Sequence, residues 1–225
     1  MGTIIEFKAN GKMTQGYLAP AKGGTGPGVI VLQEWWGLVD HIKKVCDRFS
    51  EAGYTTLAPD LYHGSCASAP DEAGRLMMAI NIDQTEKDLR GAVHYLQSES
   101  HVSEKKLGIV GFCMGGQLAL FAASKNPQIA AVADFYGIHP KVKPDLKALE
   151  ASVLGIFAEK DAFVTPQVAH QLEAELKKFG KSTDFHIFPG VNHAFFNDTR
   201  PDVYNKSAAD QAWKKVLEHF GKYLR

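Results

Sequence analysis

Cys113 stands in Gly111-Phe112-Cys113-Met114-Gly115-Gly116, after an apolar run from Leu107 and before apolar residues at helical spacing. A glycine-x-nucleophile-x-glycine turn between strand and helix strains its central residue and lifts that side chain clear of the sheet. The glycines fit because a Cβ at either position would strike neighbouring backbone. A helix starting near Met114 directs free N–H groups and its positive dipole end at the sulfur, which favours thiolate over thiol. Most free cysteines are small buried core residues; the flanking glycines and the strand-turn-helix setting separate Cys113 from these. A nucleophile needs a base and a group that orients the base. In folds with this turn, acid and histidine follow the nucleophile in that order. Asp161 closes the apolar run "VLGIFAEKD", and His193 follows the next such run in "FPGVNHAFFND". The rival acids Glu159 and Asp134 fall inside strand patterns or just before their ends. Among the other histidines, His186 lies in a strand pattern, His94 and His219 in helical ones, and His139 in a turn before Pro140.

The elements that must position these groups follow from the patterning. Residues 3–8 and 13–19, split by Asn10-Gly11, predict a hairpin of two outer strands. The glycine-rich "AKGGTGPG" leads into the buried strand "VIVLQE". Further strands are expected over 54–60, 106–112, 129–137, 152–161 and 183–190, since each is short, bounded by turns and rich in β-branched residues. Amphipathic helices are expected near 40–52, 83–99, 115–125, 166–179 and 203–223. Thr165-Pro166 reads as cap and first-turn pair for the fourth. Trp213, Val216, Leu217 and Phe220 form the core stripe of the last. Such alternation predicts an α/β architecture: one domain over 1–225 with a mostly parallel sheet, helices on both faces and chemistry at the carboxyl ends of its strands.

Composition narrows the classes. The 225 residues are 45% hydrophobic and 22% charged, enough to bury a core without metal or disulfide support. Balanced charges, with a formal net of +0, build no field for nucleic acid or an anionic membrane. No signal pattern opens the chain and no apolar run is long enough to cross a bilayer, so a cytoplasmic setting is expected. Three scattered cysteines suggest neither a disulfide framework nor a zinc site. Cys46 falls on a core helix face, Cys66 lies in a more exposed loop as a reactive bystander, and no second cysteine is placed as a C-x-x-C partner for a redox role of Cys113. "GGTGPG" precedes a strand rather than opening a helix, so it is no phosphate cradle. Neither a metal nor a cofactor is expected.

Four segments in order, "QEWWG", "GFCMGG", "AEKDAFV" and "NHAFFND", resemble the dienelactone hydrolase family of the α/β-hydrolase fold over almost the whole chain. The resemblance implies Cys113 as nucleophile, His193 as base and Asp161 as its orienting acid. It also implies an oxyanion hole from the backbone N–H groups of Met114 and of the residue after Glu34, Trp35. Glu34 matches a family glutamate beside the sulfur, thought to switch the thiol to thiolate when substrate arrives. Family members of the best-known type hold a substrate carboxylate with two arginines. Arg75 matches one; at the other position, four residues after the histidine, this chain has Asn197, with Arg200 three residues further on. Aromatic walls are expected from Trp35, Trp36, Tyr62, Tyr136 and Phe195, which follow strand ends.

Sulfur at the turn bears on the substrate. A thiol's pKa of about 8.5 makes thiolate a better leaving group than alkoxide. A tetrahedral intermediate on Cys113 therefore tends to expel sulfur again unless the other oxygen leaves easily or is protonated in time. Enol lactones and activated esters satisfy this; amides do not. The expected activity is hydrolysis of such small molecules by a monomer or small homo-oligomer. A broad carboxylesterase on neutral activated esters is the nearest alternative, and a non-catalytic binder on the same scaffold is a third reading.

Overall fold

A computed structural model describes residues 1–9 and 11–224; Asn10, half of the expected hairpin turn, lies outside them. Eight strands form one sheet in the order β1-β2-β4-β3-β5-β6-β7-β8. The outer hairpin is β1 (Thr3–Ala9) and β2 (Lys12–Ala19), paired antiparallel from Thr3↔Leu18 to Ala9↔Lys12. β2 runs antiparallel to β4 (Thr55–Pro59). From β4 onward every pairing is parallel, through β3 (Gly28–Leu32), β5 (Leu107–Phe112), β6 (Ile129–Phe135), β7 (Ser152–Ala158) and β8 (Thr183–Phe188).

Period-two alternation divides the central strands between two cores. In β3, Val29 and Val31 face one side, and Ile30 and Leu32 the other. The first side is covered by α1 (Asp40–Glu51) and α6 (Lys206–Tyr223), whose Phe49 and Trp213 rings meet at 4.4 Å between centroids. The second is covered by α3 (Ile82–Ser98) and α4 (Met114–Lys125). α5 (Pro166–Lys178) closes the β7–β8 edge, with Ala169 in one core and Leu176 in the other. Burying both strand faces explains why these segments read as continuous apolar runs. The expected stripe of α6 is present: Val216 and Phe220 are buried, and Trp213 and Leu217 pack beside them.

Two expectations change. Pro70–Ala79 is a helix, α2, that the apolar pattern does not signal. Its start is orthodox, with Pro70 in the first turn and Asp71 and Glu72 at the positive dipole end. Only Ala73 is fully buried, however, so there is no stripe to read. Thr165 does cap α5 by position, but its hydroxyl makes no capping hydrogen bond; Asn81 and Asn205 do this work on α3 and α6.

Candidate active site

Phe112 ends β5 and Met114 begins α4, leaving Cys113 alone to turn the chain. Its φ of 54° and ψ of −118° are rare for a residue with a side chain. Neighbouring backbone holds the turn: Cys113 donates to the Phe135 carbonyl at 3.0 Å, while Gly116 and Ile138 donate to its own carbonyl at 3.0 and 3.1 Å. The glycines are steric requirements. A Cβ on Gly111 would lie 1.9 Å from the Gly115 carbonyl oxygen, and one on Gly115 would lie 2.5 Å from that of Gln33. Cys113 is 8% exposed, and its neighbour Met114 opens the helix with an N–H that has no intrahelical acceptor.

Asp161 and His193 reach this turn from the ends of β7 and β8. The loop after β7 wraps around the Asp161 carboxylate: Oδ1 accepts from the backbone N–H groups of Phe163 and Val164 at 2.8 and 2.9 Å. Oδ2 is bonded to His193 Nδ1 at 2.7 Å. That contact occupies one imidazole nitrogen and leaves the other free, and the ring lines the same cavity as Cys113, close enough for the sulfur to influence its pKa. The Tyr136 and Phe163 rings flank the imidazole, with centroids 4.8 and 5.3 Å away. Burial alone would depress the imidazole pKa; hydrogen bonds and charge from Asp161 and Cys113 outweigh it and push the value up to about 10. An imidazolium beside sulfur is the state that lets sulfur attack as thiolate.

Glu34 lies on the other flank, just past β3, and is 2% exposed. Its Oε2 accepts from Asn197 Nδ2 at 2.6 Å. Asn197 is oriented in turn by Thr199, whose backbone N–H and hydroxyl both donate to Oδ1, at 3.0 and 2.7 Å. This fixes which end of the amide faces Glu34. The second Glu34 oxygen, Oε1, has no donor among the described residues.

A cavity of about 360 Å³ opens over the sulfur. Of the residues expected around it, Glu34, Trp35, Trp36, Cys113, His193 and Arg200 are brought together. Five others are not. Asn197 is 1% exposed and points at Glu34 instead of the cavity. Tyr62 sits beneath the turn, its hydroxyl donating to Met114 Sδ at 3.3 Å. Tyr136 is fully buried with φ 43°, so it backs His193 without walling the cavity. Phe195 is core, packed on Phe188 at 5.3 Å. Arg75 is exposed on α2 in an adjoining groove with Trp35, Pro70 and Gly74. Residues the sequence reading missed take their places: Pro70 and Met77 from α2, Ile138 and Pro140 after β6, and Phe163 after Asp161. Phe163 alone had a signal, as an aromatic two residues past the acid at the same strand end. Glu159 and Asp134 stay apart from this cavity: Glu159 accepts from the Gly190 N–H at 2.7 Å, and Asp134 is buried in β6.

Known proteins share this architecture. The dienelactone hydrolase family model matches residues 14–224. Protein usf of Aquifex pyrophilus is 38% identical over 100% of both chains. A protein of Aquifex aeolicus with the provisional name carboxymethylenebutenolidase is 35% identical, again over 100% of both. The crystal structure of a provisionally named dienelactone hydrolase from Klebsiella pneumoniae superposes with a TM-score of 0.89 at 26% identity, covering 99% of each chain. With the sheet order, the Cys113 turn and these likenesses in agreement, the chain belongs to the dienelactone hydrolase family, hydrolases on the α/β-hydrolase fold.

Proposed function

We propose that the protein hydrolyses enol lactones or activated carboxylic esters through a thioester on Cys113. The supporting observation is the imidazole held at 2.7 Å by Asp161 and lining the same cavity as the Cys113 sulfur. In the first step the thiolate attacks the carbonyl carbon and the C=O electron pair moves onto oxygen. The Met114 and Trp35 N–H groups receive that oxyanion. Its collapse breaks the bond to the leaving oxygen, which takes a proton from His193 as it departs. Water then gives a proton to His193 and attacks the thioester, the thiolate leaves, and a carboxylic acid is released. An activated aryloxide such as 4-nitrophenoxide, or an enolate protonated by His193 as it leaves, competes with sulfur as leaving group, so the first collapse runs forward. An alkoxide reaches the same point only if protonated in time.

The test pairs Cys113→Ala with mass spectrometry of the wild-type chain during turnover of a 4-nitrophenyl ester. The expected outcome is a loss of about 10⁴-fold or more in kcat/KM for the variant, with acyl mass trapped on the peptide carrying Cys113. Undiminished turnover by the variant would reject the reading.

A further inference from the structure

We propose that this cavity selects uncharged, largely apolar esters or lactones and discriminates against substrates carrying a carboxylate. The inference rests on the cysteine-hydrolase reading and deepens it. Trp35, Trp36, Met77, Ile138, Pro140 and Phe163 give the cavity apolar walls. A substrate carboxylate entering there sheds its water and must find a cation or several N–H donors in exchange.

The lining offers two cationic groups among the described residues, and both are engaged. His193 is bound to Asp161 through Nδ1. Arg200 Nη2 donates to Asp202 Oδ2 at 2.7 Å at the rim. Arg75 lies outside, in its groove on α2. The Asn197 amide, at the position where the resemblance implies an arginine, is spent on Glu34 and Thr199. Glu34 also lines the cavity, with Oε2 bound to Asn197, and brings no cation to meet a carboxylate. An uncharged acyl chain loses nothing against these walls. Discrimination therefore comes as much from what the site withholds as from what it contacts.

Two probes share one leaving group: 4-nitrophenyl hexanoate and the adipic acid mono-4-nitrophenyl ester, which carries a carboxylate at the far end of a matching chain. With background hydrolysis subtracted, the wild-type chain is expected to favour hexanoate by about tenfold or more in kcat/KM, mainly through KM. Asp202→Asn, an exposed change, frees Arg200; it is expected to raise kcat/KM for the anionic ester about threefold and leave hexanoate unchanged. An anionic ester turned over within about threefold of the neutral one, or an Asp202→Asn variant with unmoved discrimination, overturns the proposal. Silence toward both esters strikes the hydrolase reading itself, so the two failures are told apart.

Discussion

A half-buried and a buried histidine, His193 and His219, mark opposite ends of β7, and their surroundings drive them in opposite directions. His219, on α6, lies at the start of the strand, 8% exposed, with Nε2 donating to the Ser152 carbonyl at 3.3 Å. Burial dominates there and pushes its pKa down to about 4, against small upward influences from that carbonyl and from Asp184. His193 lies beyond the other end, where the chain after Ala158 delivers Asp161, and its pKa is pushed up to about 10. Both rings lose water. One meets a neutral dipole and stays uncharged; the other meets the Asp161 side chain and the Cys113 sulfur and takes a proton. Desolvation sets the sign only where no countercharge opposes it. The backbone differs in the same sense: of the four described non-glycine residues with positive φ, Cys113, Tyr136 and Ala194 are at the His193 end. Strain of this kind persists where packing over-determines it.

Asp161→Asn would break the contrast most severely. Without the countercharge, burial lowers the His193 pKa, and an amide can hold the wrong ring tautomer. The expected loss in kcat/KM is about 10³- to 10⁴-fold, measured with an activated ester; a loss under tenfold would show that Asp161 does not govern the imidazole. Stability should respond in the same variant. A histidine whose folded pKa is raised stabilises fully below about pH 6.5, and loses that contribution as pH rises through the folded value of about 10. Chemical denaturation between these limits should show the alkaline loss in the wild type and a flatter curve in Asp161→Asn.

The His219 end carries the opposite sign. With a folded pKa of about 4, its neutral form persists to lower pH in the folded chain than in the unfolded one. As pH falls from the unfolded value the unfolded chain binds the proton first, so stability declines by about 3 kcal/mol between pH 6.5 and 4. His219→Gln, which keeps a donor for Ser152, should flatten that acid limb without changing turnover. A smaller refinement is Lys222→Gln. Lys222 contributes to lowering the His219 pKa, so its removal should raise it by a few tenths of a unit in an NMR titration, on the order of an exposed charge effect.

Much of the candidate site was legible because it is local. The Gly111–Gly116 spacing announces the turn, since the contacts that forbid a Cβ come from backbone a few residues away or from the adjacent strand end. The meeting of Asp161 and His193 was legible because a parallel sheet sends the ends of successive strands to one edge. α2 was missed because a helix lying on the surface with one fully buried residue needs no apolar period. With it went Pro70 and Met77, and hence part of the cavity wall.

The sequence by itself determined the parallel sheet, the strained turn and the strand ends from which Asp161 and His193 leave, because alternation, glycine spacing and strand ends act over short stretches of chain. Only the tertiary structure decided which polar group each side chain meets. Asn197 and Glu34 are 163 positions apart, and nothing near either one states that the amide donates to the carboxyl. Tyr136 and Tyr62 follow strand ends as cavity walls would, yet one is fully buried behind the imidazole and the other lies beneath the turn. Direction at a strand end depends on a single φ and on packing from elements far along the chain, and no local pattern carries that.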